Sequence, residues 1–285
     1  LAIADEAARH DMPIVAHVPH SVSLLDAPFI NDVQHFTGVP VPADPAAVGI
    51  DDYLNEDFAN LTRARMEDVV KAALRQHTIH TPALINEDVR RTLGAPLQFP
   101  PHPQLAILPA FWPRVWRGIW HAPNIGHDAI VYEGFRTRER ELLRVMFDQG
   151  VTIFAGTDTL MPFVAPGASL VQELKNFVEV GRTPEQALAT ATSAPGKFWK
   201  DRTFGEIRHG LPADIVLYAH DPTQDLANLD TRRWVIAGGR IYEQSTLERW
   251  LAAEQRHFHG WLYETVMNAV IALQSDDYAK GQPDK

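Results

Sequence analysis

The stretch VTIFAGTD, residues 151–158, is an apolar, strand-like run that ends on a carboxylate. Val151, Ile153 and Phe154 are typical of a buried strand, and small residues lead from them to Asp158. Ligands gather at the carboxyl ends of strands in α/β barrels and open parallel sheets. An acid there can bind a cation and accept a proton from a metal-bound water. It can equally cap the next helix or form a turn.

Three earlier segments also have strand character, and helical segments alternate with them. The predicted strands are PIVAHV (13–18), INDVQHF (30–36) and HTIHTPALI (77–85). Helices are predicted over LAIADEAARHD at the start, from about residue 56 to 76, and from about 137 to 149. A further helix opens at TPEQALATATSA with a capping box from Thr183 to Gln186. This alternation predicts an α/β protein with a parallel sheet.

The pattern changes after about residue 204. Short strand-like runs follow, and Gly238–Gly239 between two of them predicts a hairpin turn. The last segment opens with a predicted capping box from Ser245 to Glu248 and has apolar residues at helical spacing. We therefore divide the chain into an α/β part at 1–204, a small β part at 205–244, and a C-terminal helix and tail at 245–285.

Three predicted strand ends carry side chains that can bind a metal ion, namely His17, His35 and Asp158. Imidazole nitrogen and carboxylate oxygen are ordinary ligands of zinc and similar divalent ions. Each residue alone is a weak signal, because a single strand-end histidine is often a hydrogen-bonded core residue. The three together, in strand order, favour a metal site.

Composition limits the classes of partner. The net charge of −10 argues against nucleic acid or an anionic membrane. The chain has no cysteine, which excludes disulfides and thiolate metal sites and gives no indication of the cellular compartment. No run of 18 apolar residues occurs, so no transmembrane helix is predicted. A small-molecule substrate fits these limits, and a homo-oligomer is compatible with them.

The segments PIVAHV, DVQHF, TPALI and VTIFAGTD, in this order, resemble strands five to eight of an amidohydrolase-superfamily barrel. The nearest subgroup is the imidazolonepropionase-like and prolidase-like hydrolases. The helix with AL-x-x-AT-x-x-P after Asp158 and the later runs GEIRHGLPADIVLYAHDP and VIAGGRIY extend the resemblance. It implies the C-terminal half of a (β/α)8 TIM-type barrel, with a small β-sandwich extension and a C-terminal helix.

The resemblance also implies roles for the three residues. His17 would be the strand-five metal ligand, and His35 a second-metal ligand or the group that polarises the substrate carbonyl. Asp158 would be the strand-eight ligand and the general base. The cofactor implied is one or two divalent metal ions, zinc being the expected metal. The reaction implied is hydrolysis of an amide or related bond, in a dipeptide-like substrate, an N-acyl amino acid or a cyclic amide, by a metal-activated hydroxide.

The sequence departs from the family pattern in one important respect. The family's first-strand His-x-His pair and strand-four lysine have no counterpart upstream of His17. Because LAIADEAARHD reads as the body of a helix, we expect an N-terminal part of a longer protein to be missing. We predict an active full-length hydrolase and an inactive fragment. The alternative is a catalytically incompetent fragment or degenerate homologue that serves as a binding or assembly module.

Three further residues are weaker candidates for substrate binding. His80 lies on the strand-seven segment, and Trp112 and Trp116 lie in the Pro- and Trp-rich stretch between that strand and the next helix. The tryptophans would form a lid or an aromatic subsite, or would instead pack this stretch onto the barrel or another chain. The HFH run at 257–259 has metal-like spacing, but on the predicted helix its two histidines point to different sides.

Overall fold

The computed structural model of the protein describes residues 2–19, 21–41, 58, 60–86, 88–89, 103–109, 111–112, 129–159, 161, 163–198 and 204–280. Within these ranges, side chains are described outside 129–132 and 271–280. The predicted residue Trp116 lies outside the described residues.

The described residues form helices and short strands in alternation. The helices are α1 (Ala2–Arg9), α2 (Arg63–Gln76), α3 (Ala129–Gln149), α4 (Ala168–Glu179), α5 (Pro184–Thr190), α6 (Ser193–Phe198), α7 (Gln244–Phe258) and α8 (Trp261–Lys280). The strands are β1 (Val15–Ala16), β2 (Asp32–Gln34), β3 (Ile79–Thr81), β4 (Ile215–Tyr218), β5 (Arg232–Ala237) and β6 (Arg240–Glu243). Short 3-10 helices span Leu24–Asp26, Pro103–Ile107 and Leu226–Thr231. No helix in this described part of the chain combines the length and apolar character that a membrane crossing needs.

A parallel sheet holds the predicted strands in chain order. β1 pairs with β2 and β2 with β3, all parallel. Ile153 then forms a parallel bridge to His80, and the N–H of Phe154 donates to the His80 carbonyl at 3.0 Å. VTIFAGTD therefore joins the sheet by an isolated bridge where a longer strand was predicted. The α/β class is confirmed, and the half-barrel geometry stays a prediction.

The main apolar core lies between this sheet and the helices α2, α3 and α4. Val33 of β2 is fully buried, together with Phe36 just beyond it. The core also contains residues at helical spacing from each helix, among them Met66, Val69, Leu142, Met146, Leu174 and Phe177. Because Val33 faces these helices, its neighbours Asp32 and Gln34 face the opposite side of the sheet.

Two predicted helices have different N-termini in the structure. α2 begins at Arg63 because the Thr62 side chain accepts the Arg65 N–H at 3.2 Å and caps the helix. α3 begins at Ala129, earlier than the predicted residue 137. Thr137 does not cap a helix; its hydroxyl donates to the Glu133 carbonyl at 2.8 Å, inside the helix.

Local sequence chemistry predicts two other features correctly. Thr183 and Gln186 form the expected reciprocal capping box at the start of α5, with Pro184 in the first turn. Gly238 and Gly239 join β5 to β6 with φ of 56° and 75°, the left-handed backbone that a type I′ hairpin requires. β4, β5 and β6 form one antiparallel sheet. The second layer of the predicted sandwich stays a prediction.

The predicted start of the C-terminal helix is wrong. α7 begins at Gln244 after Glu243, which makes no side-chain cap hydrogen bond. Ser245 and Glu248 lie inside the helix, where the Gln244 side chain donates to Glu248 at 2.7 Å. A break at His259–Gly260 separates α7 from α8, so two helices replace the single one expected. A glycine favours this break because it is a poor helix former.

Candidate active site

The carboxyl ends of the parallel strands bring the three predicted metal ligands together in pairs. His17 directly follows β1, and its ring centroid lies 5.1 Å from that of His35, in an edge-to-face arrangement. His35 directly follows β2, and its Nε2 atom lies 3.6 Å from Oδ2 of Asp158. His35 therefore lies at the centre of the group, in contact with both of the others.

The backbone at these strand ends has an unusual conformation. His35, Phe36 and Asp158 each have φ of 53°, in the left-handed region that side chains other than glycine rarely adopt. Ala83, just after β3, has φ of 51°. Each such residue costs on the order of 1–2 kcal/mol. Strain of this kind concentrates at functional sites, where the turn must aim a side chain.

The group is open on one side. The His35 side chain is 13% exposed, whereas that of Asp158 is 45% exposed and His17 is also exposed. A reactant can therefore approach the carboxylate while the central imidazole is held in place.

The donor set suits a divalent metal in its chemistry and partly in its geometry. Two ligand atoms on tetrahedral zinc are separated by roughly 3.3–3.5 Å, from bond lengths of about 2.0–2.2 Å. The 3.6 Å between His35 Nε2 and Asp158 Oδ2 is close to that spacing. Among the described residues, no three His, Asp or Glu side chains are grouped tightly enough to hold a metal. The pair fits two ligand positions, and the set of three stays a prediction.

A fourth residue at this site, Asn86, was missed by the sequence reasoning. Its side-chain amide donates to Oδ2 of Asp158 at 3.2 Å, and the residue is 4% exposed. Asn86 follows β3, the strand between His35 and the segment that carries Asp158. The signal available in the sequence is a polar residue that ends the apolar run PALIN at the carboxyl side of a strand.

Glu173 of α4 holds the turn that carries Asn86. Its two carboxylate oxygens accept the N–H groups of Leu84 and Ile85 at 2.9 and 2.8 Å. The side chain is completely buried. Burial raises the pKa of Glu173 to about 8, although the two N–H bonds oppose the rise. The carboxyl group therefore ties α4 to the backbone just before Asn86.

A second buried carboxyl lies on β2 beside the site. The Thr81 hydroxyl contacts both oxygens of Asp32, at 3.0 and 2.9 Å. Burial raises the pKa of Asp32 to about 6, against the opposing effect of the Thr81 hydrogen bond. This contact links β2 to β3 on the face of the sheet opposite the main core.

His80 is not placed where a substrate reaches it. The residue is completely buried, and its ring lies 5.7 Å from that of the core residue Phe36. Burial lowers the pKa of His80 to about 3, so its ring is neutral at ordinary pH. This burial does not favour the predicted role in substrate binding.

Trp112 lies against a small apolar cluster next to the site. Its ring is 5.3 Å from that of Phe111, and it packs on a cluster formed by Leu105, Phe163, Ala165 and Ala168. Two members of the cluster, Phe163 and Ala165, lie in the segment after Asp158. This agrees with the packing alternative for Trp112, and its substrate role stays a prediction.

The two histidines of the HFH run make contacts within the C-terminal helices and with the segment at 103–109. His259 ends α7, and its Nε2 atom lies 2.9 Å from the carbonyl oxygen of Ala106. Its Nδ1 atom lies 3.6 Å from Glu264. His257 belongs to the last turn of the helix, and its ring centroid lies 5.5 Å from that of Tyr263 in a tilted arrangement. His259 thus attaches the C-terminal helices to the segment at 103–109.

Comparison with known proteins identifies the family. The model of the amidohydrolase family matches residues 1–240, which is most of the chain. The chain belongs to the amidohydrolase family. A search of curated protein sequences found no significant match to this amidohydrolase chain.

Solved structures of other proteins share the fold at low sequence identity. A bottromycin amidohydrolase is 22% identical with a TM-score of 0.62, and the match covers 90% of this chain and 56% of that protein. A Xaa-Pro dipeptidase with bound methionine is 17% identical with a TM-score of 0.54, covering 85% and 47%. A prolidase complexed with N-methylphosphonate-L-proline is 18% identical with a TM-score of 0.53, covering 85% and 48%. The amidohydrolase chain therefore spans about half the length of these structures.

Proposed function

We propose that this chain carries part of the active site of a metal-dependent amidohydrolase that cleaves an amide or related bond. The observation that supports this most is the approach of His35 Nε2 to Asp158 Oδ2, at 3.6 Å, with the His17 ring against His35. His35 and Asp158 both have left-handed backbone at the carboxyl edge of the sheet, and such strain clusters at functional sites. Family membership adds independent support.

His17, His35 and Asp158 are the residues that would hold the metal, and their donor atoms suit zinc. When bound, such an ion lowers the pKa of a water molecule and polarises a carbonyl oxygen. One ion needs three protein ligands and an open position, and we propose that His17 is the third ligand beside His35 and Asp158. Whether a second ion binds depends on ligands beyond this group.

Asp158 is the residue proposed to take up and return the proton. Both of the described contacts of its carboxylate, with Asn86 and His35, are made by Oδ2. Oδ1 is therefore the oxygen that neither contact engages, and the side chain is 45% exposed. A carboxylate fixed through one oxygen and accessible through the other can act as a general base toward a bound reactant.

The alternative role proposed for His35, in place of binding the metal, is to stabilise negative charge that develops on the substrate oxygen. Its side chain is mostly buried, so its contacts are little screened by water. The N–H of His35 donates to the Thr81 carbonyl at 3.1 Å, which fixes the backbone from which the ring projects. A positioned imidazole requires little reorganisation during the reaction.

The proposed substrates are dipeptide-like compounds, N-acyl amino acids and cyclic amides. The dipeptidase and prolidase among the structures of the same fold favour the dipeptide-like class. The negative net charge of the chain disfavours nucleic acid as substrate.

The second candidate function is a binding or assembly module without catalysis. It is supported by the lack of a three-ligand metal cluster among the described residues. On either reading, we propose that residues 1–285 alone have negligible turnover. A rate above the background, lost on chelation, in the isolated chain would refute that part of the proposal.

The test first inspects the coding sequence upstream of Leu1 for a His-x-His pair after an apolar strand. The complete gene product is then assayed against dipeptides, N-acyl amino acids and cyclic amides, with Zn²⁺ and after chelation. We expect turnover that chelation abolishes, and a fall in kcat of at least about 100-fold in Asp158→Asn. Asp68→Asn, an exposed carboxylate of α2, is the matched control. Turnover that survives both chelation and Asp158→Asn would refute the proposal.

A further inference from the structure

We propose that Thr37 is a positioning residue that sets the separation of the His17 and His35 rings. The inference rests on the proposed function, because it concerns the same metal-binding group. Thr37 acts on the backbone next to each ring.

A single hydroxyl joins the ends of two strands. Oγ1 of Thr37 accepts the N–H of Val18 at 2.8 Å and donates to the Gln34 carbonyl at 2.9 Å. Val18 is the residue after His17, and Gln34 is the residue before His35. Thr37 is 7% exposed, so water competes little for either bond.

The sheet itself aligns these strands only up to the site. The ladder between β1 and β2 pairs Val15 with Asp32 and Ala16 with Val33. His17 is the first residue beyond this ladder on its strand, and His35 is the second residue beyond it on the other. The hydroxyl of Thr37 continues the connection at the point where the ladder stops. The spacing of the two rings, 5.1 Å between centroids, therefore depends on it.

The turn that carries Thr37 is shaped to fit against Val18. His35 and Phe36 are in left-handed backbone, and Gly38 follows with φ of 75°. A Cβ atom on Gly38 would lie 2.6 Å from Cγ1 of Val18, so the turn backbone lies directly on that side chain. The close approach of Gly38 to Val18 fixes how far the turn lies from the segment after β1. The Thr37 hydroxyl fixes the register between the two.

The opposite side of the turn is held by α2 and the first 3-10 helix. The Gly38 carbonyl accepts the N–H of Leu24 at 2.9 Å. Arg65 of α2 donates to the Val39 carbonyl and to the Ser23 hydroxyl, each at 2.8 Å. These hydrogen bonds hold the turn in place on that side. The Thr37 hydroxyl bonds the turn in addition to the N–H of Val18, the residue after His17.

Valine and serine at position 37 separate the effect of the hydroxyl group from the effect of the branched shape of the side chain. Valine keeps the shape of threonine but loses the hydroxyl, leaving the buried N–H of Val18 without its acceptor. Serine keeps the hydroxyl. Thr190→Val is the matched control, because Thr190 is also buried and its hydroxyl donates within its own helix, to the Ala187 carbonyl at 2.6 Å.

The experiment measures Zn²⁺ affinity by calorimetry and the hydrogen exchange of the Val18 amide by NMR, in residues 1–285. For Thr37→Val we expect about tenfold weaker Zn²⁺ binding, the lower end of the effect of residues that support metal ligands. We expect the Val18 amide to exchange about tenfold faster, as the loss of one buried hydrogen bond predicts. Thr37→Ser and Thr190→Val should stay near the wild type in both measurements.

Two results would overturn the inference. One is a Thr37→Val chain with the zinc affinity and Val18 protection of the wild type. The other is an equal loss in Thr190→Val, which would indicate general destabilisation. If the wild type takes up no Zn²⁺, the proposed metal site fails, and the NOE between the His17 and His35 rings decides the role of Thr37. Loss of that NOE in Thr37→Val alone supports the role, and its retention refutes it.

Discussion

Nε2 of His35 lies 3.6 Å from Oδ2 of Asp158, although the two residues end different segments of the sheet. β3 lies between those segments, pairing with β2 on one side and bridging to Ile153 on the other. Asn86, which follows β3, donates to the same oxygen of Asp158. Three neighbouring segments thus direct polar side chains to one place, as the carboxyl edge of a parallel sheet allows.

Asn86→Ala tests whether the amide supports the Asp158 carboxylate. The substitution removes the donor to Oδ2 and leaves a buried space next to the site. We expect Zn²⁺ affinity to fall by about 10-fold or more. Calorimetric titration of residues 1–285 measures it, with Gln172→Ala, an amide on α4 that contacts Asn176, as the control. A change within twofold would show that Asp158 needs no support from this side.

Gly38→Ala tests the close approach of the turn to Val18. The matched control is Gly150→Ala, because Gly150 also has positive φ, 83°, but nothing lies within 4 Å of its added Cβ. We expect the control to lose about 1 kcal/mol of unfolding free energy from backbone strain alone. Gly38→Ala should lose about 1–3 kcal/mol more, because the new methyl meets Val18. Urea unfolding measures both. Equal losses would argue against the tight contact.

His80→Leu is expected to stabilise the protein. Neither ring nitrogen of His80 has a hydrogen-bond partner among the described residues. An apolar side chain of similar volume removes that penalty, and the gain is about 1–3 kcal/mol at neutral pH. His209→Leu, at an exposed position, is the control. A destabilised His80→Leu would mean that the ring nitrogens are bonded after all.

The same substitution changes the response to acid. The pKa of His80 is about 3 in the folded chain, against 6.5 as the ordinary value. The unfolded state therefore binds a proton first as pH falls, and stability decreases from about pH 6.5 downward. His80→Leu should show a shallower decrease in urea unfolding between pH 6.5 and 5.

Glu173→Gln tests how the stability of the protein depends on pH between about 5 and 8. The pKa of Glu173 is raised to about 8 in the folded chain, from an ordinary value of 4.5. Between these values the unfolded state releases its proton first, so stability decreases as pH rises. Urea unfolding from pH 5 to 8 should show a flatter dependence in Glu173→Gln than in the wild type. Glu185→Gln, at an exposed position, should keep the wild-type slope. An unchanged slope in Glu173→Gln would refute the raised pKa.

Local chemistry explains which elements the sequence predicted well. The Thr183 capping box and the Gly238–Gly239 turn are determined by residues within a few positions of each other, so their patterns are reliable. Strand positions around His17 and His35 also follow from short apolar runs. The Ser245 capping box failed because Ser245 can also be accommodated inside a helix that starts earlier.

The parts of the site that escaped prediction depend on contacts between distant segments. Asn86 acquires its role only because the ends of β3 and the Ile153 segment adjoin. The burial of His80 also escaped prediction, because an apolar run on a buried parallel strand does not reveal which face each side chain takes. Thr37 lies in a turn whose importance depends on Val18 of another strand.

The most direct test of the central claim is a crystal structure of this protein with Zn²⁺, located by anomalous scattering. We expect one ion bonded at about 2.0–2.2 Å to His35 and to Asp158, with His17 as the third ligand. Zinc bound elsewhere, for example at His257 or His259, or a fully occupied zinc site that none of the three residues touches, would contradict it.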